Sequence, residues 1–116
     1  VQPRLVNGAL CNLQDLDCGL LLGDAKRLPL HDSSIDAAVL DTPYGRSAKI
    51  MAASKELLLR ESLEELFRVI RPGRRMAIVA DRSIEKMIEE VGFVLLQKHT
   101  ERVHRSLTRQ IFICGR

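Results

Sequence analysis

The chain has no tryptophan, one tyrosine and three phenylalanines, so its core has to be built from Leu, Ile, Val and Ala. The single tyrosine, Tyr44, stands in a turn-like stretch and not in a core pattern. Cysteine is scarce too. Cys11, Cys18 and Cys114 are too few and too scattered for a disulfide framework, and no Cys-x-x-Cys spacing suits zinc. They read as small buried hydrophobes. No apolar run approaches the roughly 18 residues of a membrane span, and no signal-peptide pattern opens the sequence. These absences point to a cytoplasmic protein without a membrane partner. A credible set of metal ligands or a covalent nucleophile is also lacking.

What is present is ordinary for one globular domain with a modest core: 116 residues, 46% hydrophobic and 28% charged. The formal net charge of +3 says little by itself. Its distribution says more. Lys98, Arg102, Arg105, Arg109 and Arg116 cluster near the C-terminus with His99 and His104, opposed only by Glu101. Such a segment suits phosphates, and a solvated basic face accounts for the charge equally well.

Helical and extended patterns alternate along the chain, which is the main fold signal. Residues Arg4 to Leu13 read as a helix with Leu5, Ala9 and Leu13 on one face. Leu20–Leu22 reads as a short strand ending at Gly23-Asp24. Ile35–Leu40 is a nearly continuous apolar run, expected for a strand buried on both faces of a parallel sheet. Ser54–Ile70 carries the strongest helical period, through Leu59, Leu63, Leu66 and Ile70, with Ser54 as N-cap and Arg71-Pro72-Gly73 as its stop. Met76–Ala80 is a further strand. Ser83 caps a short helix that Gly92 ends after Val91. Phe93–Leu96 and Leu107–Cys114 form a terminal antiparallel hairpin, turning near His104–Ser106.

Asp41-Thr42-Pro43-Tyr44 follows the Ile35–Leu40 strand, at the sheet edge where open α/β folds place ligands. Asp41 offers a carboxylate acceptor, and the turn around Pro43 can aim backbone carbonyls into the same space. Tyr44 offers a ring for stacking on a base, worth roughly 1–3 kcal/mol. Acceptors beside a stacking ring suit an exocyclic amino group: they orient its hydrogens and leave the nitrogen lone pair facing an electrophile. Read alone, Asp-Thr-Pro-Tyr-Gly is also an ordinary turn.

The segment resembles the (Asp/Asn/Ser)-Pro-Pro-(Tyr/Phe) motif of class I, S-adenosylmethionine-dependent amino-methyltransferases. Within that family it is most similar to the archaeal and eukaryotic tRNA guanine-N2 methyltransferases, which carry Asp-Pro-Pro-Tyr-Gly-Arg-Ser where this chain has Asp41-Thr42-Pro43-Tyr44-Gly45-Arg46-Ser47. Leu22-Gly23-Asp24-Ala25 with Leu28-Pro29 resembles the turn after the family's third strand, Ile35–Leu40 its fourth strand, and Arg71-Pro72-Gly73 its Lys-Pro-Gly-Gly. The terminal hairpin, with His104-Arg105-Ser106-Leu107-Thr108-Arg109, resembles its sixth and seventh strands. The resemblance implies a single, partial Rossmann-like domain, mostly parallel, with a C-terminal antiparallel hairpin. It implies that Asp41 and the Thr42 carbonyl accept from the target amino group and that Tyr44 stacks on guanine. It further implies that Asp24 holds the cofactor adenine, with the Ala25 amide nearby, and that Arg46, Arg105 and Arg109 meet phosphates of RNA, above all tRNA.

Two departures set further expectations. Thr42 replaces the motif's first proline, so a less preorganised turn is expected. No Gly-rich GxGxG-like run is present, and nothing matches the family's first two strands or its RNA-binding THUMP domain. Without the first strand, the fourth has an open edge. The chain is then expected to form a homodimer, to pair with a missing N-terminal half, or to pair its third and fourth strands directly. Its methylating activity is expected to be weak alone. The alternatives are a non-catalytic RNA- or partner-binding module, and methylation of adenine N6 or a glutamine amide.

Overall fold

A computed structural model of the chain describes residues 3–42 and 52–116. The element order is α1 (Pro3–Leu13), β1 (Ile35–Asp41), α2 (Ala52–Val69), β2 (Ile70–Ala80), α3 (Glu85–Val91), β3 (Val94–His104) and β4 (Leu107–Gly115). Among the described residues the strands form one sheet of order β1-β2-β4-β3. β1 and β2 are parallel, whereas β4 runs antiparallel to both β2 and β3. Three strands therefore point one way and β4 points back between two of them, as expected of a mostly parallel Rossmann-like sheet closed by a hairpin.

The core lies on one face of this sheet. Leu59, Leu63 and Val69 of α2 and Ile88 of α3 meet alternate residues of β2 (Met76, Ile78, Ala80) and β4 (Phe112, Cys114). The alternation follows from the period-2 direction of strand side chains. Phe93 joins them, with its ring edge-on to Phe67 at 5.1 Å. Gly92 ends α3 at φ +124°, and its amide donates to the Glu89 carbonyl. A Cβ there would also stand 3.1 Å from the Phe67 ring, so the C-cap needs glycine for both its angle and its space.

Several elements differ from the sequence reading. Leu20–Leu22 forms no strand, and its three leucines are exposed. The run is short and has no ladder partner among the described residues, so direct pairing of the expected third and fourth strands does not occur. β1 is buried on one face only. Ala38 and Leu40 pack on the core, whereas Val39 is 81% exposed. The helix expected to start at Ser54 begins at Ala52, which puts Ser54 inside it and not at its cap. Ser83 caps nothing. Its hydroxyl reaches Gln110, and Ile84 is the N-cap of α3 without a side-chain bond. Cys11 and Cys18 are exposed because their segments lie outside the core; only Cys114 is buried, and burial pushes its thiol up to about 11.

Arg71-Pro72-Gly73 does not separate helix from strand as a loop. β2 starts at Ile70, and the register jumps from Ile35↔Ile70 to Ala37↔Arg75, so these residues form an irregularity inside β2. Such a site tolerates a proline without an N–H, and Gly73 takes φ +83° there. Arg116 locks it. The Arg116 amide donates to the Arg74 carbonyl, and the Gly73 amide donates to the Arg116 carbonyl. The Arg116 guanidinium donates to the Ile70 carbonyl at 2.5 Å and lies 4.6 Å over the Phe67 ring.

Candidate functional site

β1 delivers Asp41 and Thr42 to the carboxyl edge of the sheet, level with Val79 of β2. Thr42 is buried. Its amide donates to the Val79 carbonyl at 3.0 Å, and its hydroxyl donates to the same oxygen at 2.8 Å. A proline could make neither bond. The two bonds fix the backbone of Thr42 as it leaves the strand; the turn expected to be less preorganised lies outside the described residues. Asp41 is exposed, and its Oδ2 lies 3.8 Å from the Arg109 guanidinium. Pro43, Tyr44 and Arg46 lie outside the described residues.

Asp24 and Ala25 sit in a tight turn. The Asp24 carboxylate accepts the Lys26 amide at 2.9 Å, and its carbonyl accepts the Arg27 amide. The loop that carries this turn is fastened to α2. Glu65 accepts the Leu28 amide at 2.7 Å, while Arg68 donates to the Leu28 and Leu30 carbonyls and to Asp32. Arg68 also bonds Glu65, which places the two opposite charges side by side. The Arg68 guanidinium, and after it the Leu28 amide, hold the Glu65 carboxyl below its ordinary range, against the upward push of burial. Arg68 is held above its own range, first by Glu65 and then by Asp32.

The Asp24-Ala25 turn and the end of β1 share one space. A cavity of about 130 Å³ lies between α2 and the carboxyl ends of β1 and β2, with Ala25 and Thr42 both in its wall. Leu40, Leu58, Leu59 and Ala80 make it apolar, and Lys55, Asp81 and Arg82 supply charge. It is close to the volume, about 150 Å³, of an engineered cavity that takes one benzene ring. The sequence reading missed Lys55, Asp81 and Arg82. The available signal was that Asp81-Arg82 directly follows a strand, at the edge where such sheets bind ligands.

The hairpin overhangs the same edge. Ala80, the last residue of β2, pairs with Gln110, whereas β3 and β4 continue through Glu101↔Arg109, Arg102↔Thr108 and His104↔Leu107. At about 3.4 Å per residue, the tip projects on the order of 10 Å past the sheet. Arg105 lies in its turn and is exposed, as is Arg102. The cations counted as one basic cluster are divided by the fold. Lys98 pairs with Glu85, Arg109 faces Asp41 and Arg116 is turned inward. Among the described residues no group of three or more His, Cys, Asp or Glu is placed to hold a metal ion, and no helix is long and apolar enough to cross a membrane.

The geometry has counterparts in known proteins. The chain is 35% identical to a tRNA (guanine(10)-N2)-dimethyltransferase of Methanothermobacter thermautotrophicus and 28% identical to one of Pyrococcus abyssi, in each case over 97% of its own length. It spans only 34% and 36% of those proteins, about a third of their length. Its fold matches that of a putative DNA modification methylase from Thermus thermophilus, solved with S-adenosyl-L-methionine, at a TM-score of 0.66 and 16% identity, over 82% of this chain and 54% of that one. Residues 1–111 match the model of the RMKL-like methyltransferase domain family, UPF0020. With a Rossmann-like sheet, Thr42 at its carboxyl edge and that match over nearly its whole length, the chain belongs to the RMKL-like methyltransferase domain family.

Proposed function

We propose that this chain is the target-presenting part of an S-adenosylmethionine-dependent methyltransferase acting on an exocyclic amino nitrogen of a base in RNA, guanine N2 in tRNA. One observation carries the reading: Asp41 and Thr42 stand at the sheet edge, Thr42 shares a cavity with Ala25, and a hairpin ending in exposed Arg105 overhangs them. The Asp41 carboxylate accepts one amino hydrogen of the target, and the Thr42 carbonyl accepts the other. The bonds to Val79 keep that carbonyl in place. Tyr44 stacks on the base, and Arg46 and Arg105 take phosphates.

Asp24 and Ala25 fit the adenine of the cofactor, one as an exposed acceptor and the other as apolar wall. S-adenosylmethionine supplies an electrophilic methyl, and the chain's own part is orientation and electrostatics. The aligned amino nitrogen is the nucleophile and needs no covalent relay through the protein. The archaeal relatives, by their names, act on guanine N2 of tRNA, and that supports guanine over adenine N6 or a glutamine amide.

The test is methyl transfer from labelled S-adenosylmethionine to an unmodified tRNA transcript, with adenine-containing DNA and a glutamine peptide as competitors. Transfer to tRNA is expected, with a loss on the order of 100-fold in Asp41→Asn. Calorimetry is expected to show micromolar cofactor binding that Asp24→Ala removes. Transfer to DNA or peptide instead, or no cofactor binding up to millimolar concentration, overturns the reading. The second outcome leaves a module that binds RNA or a partner.

A further inference from the structure

We propose that the RNA backbone docks on one face of the overhanging hairpin, the face that carries Arg102, and that Arg102 takes a phosphate there; the inference rests on the RNA reading above. Strand register divides the hairpin into two faces. Lys98 pairs with Phe112, Thr100 with Gln110 and Arg102 with Thr108. Paired residues share a face, as do alternate residues of one strand. Phe112 lies in the core, so Arg102 and Thr108 project on the side that α2 and α3 cover. Two contacts agree with this: Lys98 pairs with Glu85 of α3, and the Ser83 hydroxyl, just before α3, reaches Gln110. The other face carries His99, Glu101, Arg109 and Ile111.

Charge distinguishes the two faces. On the second, Arg109 stands directly opposite Glu101, and its guanidinium lies 3.8 Å from the Asp41 carboxylate. A phosphate approaching there meets two carboxylates. On the first, Arg102 and Thr108 lie beyond the last row of β2, Ala80↔Gln110, with no carboxylate beside them on the hairpin. Glu85, farther back, is matched by Lys98. Asp81, past the end of β2, is separated from Arg102 by β4, and two strand spacings make about 10 Å. That gap equals about one screening length at moderate salt. Arg102 is exposed, and its guanidinium makes no ion pair or hydrogen bond among the described residues. Exposed Thr100 and Thr108 flank it with hydroxyls that can donate to the same phosphate. This face is also the side of the sheet on which α2 bounds the cavity shared by Ala25 and Thr42.

Two measurements test the choice of face, and neither needs methyl transfer. In the first, binding of an unmodified tRNA transcript is followed by fluorescence anisotropy across a salt series. Arg102→Gln is expected to weaken binding severalfold at low salt and to lower the slope of log affinity against log salt by about one, whereas Arg102→Lys keeps the slope. In the second, exposed Cys11 and Cys18 are replaced by serine, and a photocrosslinker is attached through Thr108→Cys or through Glu101→Cys. The Thr108 position is expected to capture tRNA several times more efficiently than the Glu101 position. A slope unchanged by Arg102→Gln, or equal capture from the two faces, overturns the proposal while leaving the RNA reading intact. Failure of the unchanged chain to bind tRNA overturns both.

Discussion

At Thr42 a hydroxyl replaces the stiffness of a ring. A proline restricts φ by its covalent ring. Here the threonine amide and hydroxyl both donate to the Val79 carbonyl, in a buried position. Thr42→Val keeps the shape and removes the hydroxyl bond. It is expected to cost about 1 kcal/mol of stability, read as a lower midpoint in urea unfolding with an unchanged slope. The identity of Asp41 and Thr42 as edge residues was legible in the sequence because a strand pattern stops there. Their partners were not. Val79 and Arg109 come from distant strands, and only register brings them to the same level.

Among the elements, the loop between α1 and β1 shows how a segment without a ladder is held. Its fastening is the Glu65–Arg68 pair on α2, through the Leu28 amide and the Leu28 and Leu30 carbonyls. Because Glu65 is held below its ordinary value of 4.5, its ionised form is favoured by folding. The stabilisation is therefore complete above the unfolded value and is lost as pH falls through the lower folded one. Glu65→Gln is expected to lower the melting temperature at neutral pH, with the gap to the unchanged chain closing as pH falls through the lowered folded value. A gap of the same size throughout the acid range would assign the effect to packing and not to charge. The periodicity of α2 and the glycine stop of α3 were readable locally. The strand expected at Leu20–Leu22 was not secured by its apolar residues, because a strand exists only with a neighbour.

At the scale of the whole molecule, the helices α2 and α3 cover one sheet face, and β1 is an edge strand of the described sheet. The opposite face carries Val39 almost fully exposed, beside Ala77 and Ile113 at the same register level. α1 contributes nothing to the core, and its Leu5 and Leu10 are exposed. An apolar edge of this kind promotes pairing between chains. Sedimentation velocity is expected to show concentration-dependent dimerisation, and Val39→Lys is expected to shift the chain toward monomer. A strict monomer through the micromolar range would remove homodimerisation through this edge.

The sequence by itself determined the family, the order of helices and hairpin, the glycine stop of α3 and the turn of the hairpin. Those features depend on local periodicity, on Gly and Pro geometry, and on a short motif read along the chain. Tertiary structure alone decided which face of β1 is buried, that Pro72 and Gly73 lie within β2, and that Ala25 and Thr42 share a cavity. It also divided a stretch of like charges among Glu85, Asp41 and inward-facing carbonyls. The physical reason is common to all of these: burial, register and charge pairing are properties of neighbours in space, and a strand's composition does not name its neighbours.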